Sequence, residues 1–192
     1  KNKQKTCLVD TNTWNYAVFN HLAKKFEVRE IESPIPLLKA VKNATELDGF
    51  RLACRKDGVA LSKFYYWLEN RLSQQPITEL EAAEQLTRFR SQDKEYVSDS
   101  FGCISAYGPN AALPHYSATP EQQSEIHPKG LYLVDSGAQY MHGTTDITRT
   151  MPLGELTELE KEDYTLVLKG MIDLSMLYFP KGSKGCNIDY CY

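Results

Sequence analysis

Two carboxylates stand in segments otherwise made of apolar and hydroxyl side chains: Asp135, after Leu131-Tyr-Leu-Val, and Asp146, before Ile147-Thr-Arg-Thr. Both segments read as strands, and a carboxylate facing a core costs several kcal/mol unless it is paired, protonated or bound to a cation. The two are eleven positions apart, with Gly137 and His142-Gly143 between them. Folding this segment back as a hairpin puts the carboxylates directly opposite each other on one face, roughly 5 Å apart at Cβ. Like charges that close repel unless a cation lies between them. Oxygen donors suit Mn²⁺, Mg²⁺ or Zn²⁺, and two such ions about 3.5–4 Å apart can activate a shared water and polarise a carbonyl. A plainer reading stays open on spacing alone: Asp135 caps an Asp-Ser-Gly turn, and Asp146 pairs with Arg149.

His115 lies twenty residues before Asp135 and reads as part of a strand between Pro114 and Tyr116. Histidine is the usual proton carrier near neutral pH, although a lone one is more often structural. His21, His127 and His142 show no partner pattern. Ser136 lacks a Gly-x-Ser-x-Gly context and Cys103 has no evident base, which argues against nucleophilic catalysis. No phosphate loop or dinucleotide fingerprint is present.

The elements that must position these residues fall into two textures. Thr6–Asp10 and Phe26–Ile31 read as strands around a helix from Asn12 to about Lys25, with Trp14, Ala17, Val18 and His21 on one face. Ser33-Pro-Ile-Pro36 breaks that pattern. Such a unit is too small to bury its own faces and reads as a fragment that needs a partner. From Asn43 the texture becomes helical, with Thr45-Glu-Leu-Asp48 as a capping box and Leu61, Phe64, Tyr65, Leu68 and Leu72 as an apolar stripe. Gly58 is a possible kink. Pro76 ends this helix; Thr78-Glu-Leu-Glu81 caps the next, which turns Ala82, Leu86 and Phe89 inward.

After Ser98 the period becomes that of strands, at Phe101–Tyr107, Ala111–Tyr116, Leu131–Asp135 and Ile147–Met151. Thr157 with Glu160 then caps a third helix, whose stripe of Tyr164, Val167, Leu168, Met171 and Leu174 is expected to be buried. Pro180 and Gly182 stop it.

The chain has 192 residues, 42% hydrophobic and 24% charged, which fits a globular protein of one domain or a domain plus a remnant. A net charge of −3 gives no basic footprint for nucleic acid, and no Lys/Arg block points to a membrane surface. The basic opening Lys1-Asn-Lys-Gln-Lys is followed by Asp10, Asn12 and Asn15, so no signal peptide is visible. A start without Met suggests a piece of a longer chain. Cys7, Cys54, Cys103, Cys186 and Cys191 form an odd set without a Cys-x-x-Cys pair, as expected of reduced thiols in the cytoplasm.

One longer pattern joins these parts. Ile104-Ser-Ala-Tyr-Gly-Pro-Asn-Ala-Ala-Leu-Pro-His115-Tyr, Leu131-Tyr-Leu-Val-Asp-Ser-Gly-Ala-Gln-Tyr140 and Gly143-Thr-Thr-Asp-Ile-Thr-Arg-Thr150 resemble aminopeptidase P in the pita-bread metallopeptidase family. Lys42-Asn-Ala-Thr-Glu-Leu-Asp-Gly-Phe-Arg51 and Asp57-Gly-Val-Ala60 resemble the start of the same catalytic domain. The similarity covers essentially the whole chain and is densest from Ser100 to Met151. It implies an α+β fold: the front half of a pita-bread domain over residues 37–192, with an antiparallel sheet and long helices. Residues 1–36 are then the end of a preceding non-catalytic α/β domain.

The resemblance also implies roles. Asp135 would hold one of two divalent metals, and Asp146 would bridge both. Mn²⁺ is the expected ion, with Zn²⁺ or Co²⁺ as alternatives. His115 would contact the substrate beside the scissile carbonyl, and Thr148 would buttress the ligands. The implied reaction is release of an N-terminal residue that precedes proline, by a metal-activated water. The implied partners are peptides with proline in second position.

The family's site uses five protein ligands, adding a histidine and two glutamates expected beyond Tyr192, so this chain alone is expected to be inactive. Half of a shared core would also expose apolar faces, implying a homodimer or other self-association. A prolidase-type dipeptidase and a non-catalytic pita-bread binding module are the alternatives; the metal-free creatinase branch would leave the aspartate pair without a purpose. Tyr107-Gly-Pro-Asn110 leans toward aminopeptidase P.

Overall fold

The computed structural model describes residues 5–189; Cys191 and the opening Lys1-Asn-Lys-Gln lie outside them. Two compact units are distinguished, the first through Leu47 and the second from Asp48.

The first unit is a small strand–helix–strand. β1 (Thr6–Val9) pairs in parallel with β2 (Glu27–Glu30) across helix α1 (Tyr16–Ala23), giving the expected α/β texture. α1 starts at Tyr16 rather than near Asn12, because Asn15 caps it by accepting from Ala17 N at 2.9 Å. Ser33–Pro36 is not a simple break: Ile35–Ala40 forms a one-and-a-half-turn helix, α2. Pro36 sits in its first turn, where no backbone N–H is needed.

The long helix α3 (Ala44–Leu72) opens on a reciprocal cap two residues before the one predicted. Asn43 Oδ1 accepts from Glu46 N at 2.9 Å, and Glu46 Oε2 accepts from Asn43 N at 2.8 Å. The helix runs unbroken through Gly58. Its predicted stripe faces inward, with Phe64 and Leu68 fully buried and Leu61 and Leu72 nearly so; each such burial contributes about 1.5–3 kcal/mol. A short β3 (Ile77–Thr78) leads into α4 (Glu79–Arg90), capped as predicted by Thr78, whose Oγ1 accepts from Glu81 N at 3.1 Å. Ala82 and Leu86 of α4 join the same core.

The strands follow: β4 (Tyr96–Asp99), β5 (Ile104–Tyr107), β6 (Glu125–Ile126), β7 (Leu131–Ser136), β8 (Ala138–Tyr140), β9 (Gly143–Thr144) and β10 (Ile147–Pro152). β7 is the centre of one antiparallel sheet in the order β10–β7–β5; β8 is the centre of another, β4–β8–β9. One long hairpin therefore serves two sheets, changing from one to the other at Gly137. The buried face of β7, carrying Tyr132 and Val134, packs on the helical core.

Two expectations fail here. Ala111–Tyr116 is not a strand: Gly108–Ala112 is a 3₁₀ helix, followed by a turn in which His115 has φ 57°. Gly108 (φ 54°) and Pro109 launch the tight turn, and polar groups of this segment bond to Glu79 rather than to a ladder. Helix α5 (Glu158–Ser175) has its full capping box, Thr157 with Glu160, but its stripe is not buried. Tyr164, Val167, Leu168 and Met171 are exposed, and Gly170 is the one buried residue. Periodicity marks an apolar face, but no element among the described residues covers it.

Burial gives the fold an alkaline limit. Tyr96 and Tyr116 are pushed up to about 12, by burial first and then by bonds to Asp99 and Glu79. Burial raises Tyr132 and Tyr140 as well. The unfolded chain releases these phenolic protons near the ordinary value of 10.0 while the folded chain retains them, so between the two the unfolded state binds fewer protons. Stability is therefore full below about pH 10 and falls as pH rises through 12. Thermal midpoints measured against pH should hold level from neutrality and then drop, with the buried phenols' share of the tyrosinate absorbance appearing together with unfolding.

Candidate metal centre

Asp135 lies near the end of the central strand β7, with Thr148 of β10 opposite it on one side and Ile104 of β5 on the other. Tyr132, Val134 and Ser136 alternate toward the core, so Asp135 occupies the other face of the sheet. Its Oδ1 is buried without a hydrogen-bond partner among the described residues. A buried carboxylate oxygen with an open coordination position is suited to a cation.

Asp146 is exposed and immediately precedes β10. The hairpin register differs from the predicted one by two residues: Ser136 faces Ile147 and Gln139 faces Thr144, which places Asp146 opposite Gly137. The two aspartates are therefore diagonal neighbours on a common face, not a directly opposed pair, and such neighbours lie within about 7–8 Å at Cα. The reason is the turn. Tyr140 pairs with Gly143, so Met141-His142 form a two-residue loop one position further along than assumed. The register keeps both aspartates on one face despite the offset.

The plainer reading of the pair fits less well. Asp135 is within a strand rather than at a turn, and Arg149 donates to the Thr148 carbonyl at 2.7 Å; no ion pair joins it to Asp146 among the described residues. No group of three or more His, Cys, Asp or Glu side chains gathers as a metal cage among those residues. What is present is a two-carboxylate edge, and its donor set fits hard divalent ions as a partial site.

His115 is exposed in its turn, with a left-handed backbone that histidine tolerates better than most residues. What holds that turn is Glu79, a fully buried carboxylate at the start of α4. It accepts from Tyr107 N at 2.6 Å, Asn110 Nδ2 at 3.0 Å, Tyr116 Oη at 2.7 Å and Ser124 N at 2.8 Å. Glu79 was read only as part of a helix cap. Its burial had no local signal, since its partners lie 28 to 45 residues away.

A second buried set went unread for the same reason. Arg90 and Asp57 pair through two bonds, Nε to Oδ1 at 2.6 Å and Nη2 to Oδ2 at 3.1 Å, with side-chain exposures of 1% and 0%. His142, read as partnerless, has Nε2 at 3.3 Å from Glu95, whose other oxygen accepts from Lys56; that bond is the main reason Glu95 titrates below the usual carboxylate range. Cys103 is pushed up to about 12, chiefly by burial, which fits the expectation that it is no nucleophile.

Comparison with known proteins bears on the family and the fold. The model of metallopeptidase family M24 matches residues 48–191. A probable Xaa-Pro aminopeptidase P of Paracoccidioides brasiliensis (strain Pb03) is 50% identical over 165 residues, covering 85% of this chain and 27% of the relative. The crystal structure of the Caenorhabditis elegans X-prolyl aminopeptidase, described as a cytosolic enzyme with a di-nuclear active site, superposes with TM-score 0.76 at 38% identity, over 86% of this chain and 27% of that one. A Bacillus anthracis Xaa-Pro dipeptidase superposes with TM-score 0.72 at 24% identity, over 88% of this chain and 46% of that one, which bears on the fold alone. The chain thus spans less than a third of the length of the curated relative it matches.

Proposed function

Because the chain belongs to metallopeptidase family M24, we propose that it contributes the two-aspartate edge of a dinuclear centre in an aminopeptidase that releases an N-terminal residue preceding proline. The observation that carries this reading is Asp135 Oδ1, buried without a hydrogen-bond partner on the sheet face it shares with Asp146. Asp135 and Asp146 would hold the divalent ions through their carboxylate oxygens. Bound there, divalent ions supply Lewis acidity for the carbonyl and an acidified water. Thr148, opposite Asp135, buttresses the pair.

His115 projects from the turn that Glu79 secures and meets the substrate beside the scissile carbonyl, donating a hydrogen bond to the oxygen on which charge develops. Oxygen donors favour Mn²⁺ over thiophilic ions. The substrates are peptides with proline in second position, and the setting is the cytoplasm, in line with the nematode relative, which is described as cytosolic. Residues 1–36 close a preceding domain, and residues 37–192 open the pita-bread domain. The exposed stripe of α5 supports burial against further protein or by self-association. The aminopeptidase reading is supported by the 50% and 38% identity of the relatives so described.

Reading the gene past the codon for Tyr192 tests the ligand set. A histidine and two glutamates in frame complete it, and a stop codon there defeats the catalytic reading. The product of the complete frame should cleave a Gly-Pro-leading peptide in Mn²⁺, and Asp135→Asn should lower its kcat/KM by about 100-fold or more. Equal activity of that variant would remove Asp135 from the site.

A further inference from the structure

The buried Asp57–Arg90 pair is joined directly to the residues that separate the two aspartates. Arg90 Nη2 donates to Ser136 Oγ at 3.1 Å, and Nη1 donates to the Gly137 carbonyl at 3.3 Å. Ser136 follows Asp135 in sequence, and Gly137 faces Asp146 across the hairpin. On the far side of the change of sheets, Tyr140 Oη donates to Asp57 Oδ1 at 3.4 Å. One guanidinium therefore spans the last residue of β7 and the residue at which the hairpin changes sheets, while its carboxylate partner reaches β8. Arg90 is the last residue of α4, and Asp57 lies in the middle of α3.

This elbow lacks an ordinary ladder. Ala138 N donates to Thr145 Oγ1 at 2.9 Å rather than to a backbone carbonyl, and the Gly137 carbonyl is taken by Ser100 N at 3.0 Å together with Arg90. Strand pairing on either side sets the register, with Thr145 N donating to the Ala138 carbonyl at 2.8 Å, but Gly137 itself, where the sheets change, belongs to neither ladder and is held by Arg90 and Ser100. Buried ion pairs contribute little net stability compared with apolar packing, because desolvation offsets their attraction. What such a pair supplies is direction, and a planar fork with its donors fixed supplies more of it than an ammonium would.

We propose that Asp57 and Arg90 are positioning residues for the metal site: they lock the Ser136–Gly137 elbow and so set the spacing of the Asp135 and Asp146 carboxylates. The proposal rests on the reading of those two aspartates as metal ligands. It assigns a role to two side chains that touch neither metal nor substrate.

The test is Mn²⁺ affinity of the product of the complete frame, followed by water-proton relaxation, with the thermal midpoint measured beside it. Arg90→Lys keeps a cation against Asp57 but cannot reach Ser136 and Gly137 at once. It should weaken Mn²⁺ binding about 10- to 100-fold, as expected when the group orienting a ligand is lost. Should that variant fold poorly, D57L/R90M removes both charges and fills the space with apolar groups. It should fold and show the same loss of affinity. Wild-type affinity in either folded variant overturns the proposal. Asp135→Asn separates the two ideas. If it abolishes binding while the Arg90 variants do not, only the positioning role fails. If the wild type binds no Mn²⁺, or Asp135→Asn binds as well as the wild type, both readings fail.

Discussion

Glu79→Ala should cost the fold about 3 kcal/mol or more, the largest loss expected from any polar residue outside the Asp57–Arg90 pair. The carboxylate is fully buried and gathers four donors from three stretches of chain. Two of them retain other acceptors after truncation: Asn110 Nδ2 reaches Ser124 Oγ at 3.0 Å, and Tyr116 Oη reaches the Gln122 carbonyl at 3.3 Å. The amides of Tyr107 and Ser124 lose the carboxylate that accepts from them, and each buried donor left unmet costs roughly 1–3 kcal/mol. Loss of the acceptor also frees the turn carrying His115, so amide exchange at Tyr107 and Ser124 should accelerate more than exchange within α3. Urea denaturation reads the first effect. A midpoint shift worth under about 1 kcal/mol would show that water replaces the carboxylate without difficulty. Glu79→Gln should fall between, since one oxygen remains but an NH₂ group now faces donors.

Gly137→Ala should do comparable damage by a different route. A Cβ at Gly137 would stand 2.0 Å from the Thr145 carbonyl oxygen and 2.3 Å from Ser100 Oγ. The first of these is backbone, so relief requires the two arms of the hairpin to part at the elbow. Overpacking of this kind costs about 1–3 kcal/mol, and sometimes more. Parting the arms also separates Asp135 from Asp146, so Mn²⁺ affinity should fall with stability. Gly58→Ala is the matched control. Nothing lies within 4 Å of a Cβ there, and the site is helical, so the same substitution should stabilise by about 0.5–1 kcal/mol. Melting both variants side by side settles the matter: equal midpoints would mean that Gly137 is not sterically required.

These residues also mark the boundary of what the sequence makes legible. The capping residues Thr78 and Thr157, the Leu61–Leu72 stripe and the strands at Leu131 and Ile147 were all readable, because cap and period are written within a few residues. The shared face of Asp135 and Asp146 was readable too, since alternation fixes parity. Their register was not, because it depends on which two residues form the turn, and Met141-His142 carries no strong turn signal. The His115 segment was misread as a strand because its conformation is imposed by Glu79, some thirty residues away. The α5 stripe was read as buried because periodicity reports which face is apolar, not whether anything covers it.

The two-residue offset has a consequence for how the chain can change in length. Side chains alternate faces along both arms of the hairpin, so inserting or deleting one residue between Asp135 and Tyr140, or between Gly143 and Asp146, turns one aspartate over. One aspartate would then point into the layer beneath α3 while the other stayed outside. Added length is accommodated only at Met141-His142, beyond the last paired residues, where it leaves both arms in phase. Evolution of this segment by insertion is therefore confined to the tip of the hairpin, and the rest of it can vary only by exchange of side chains.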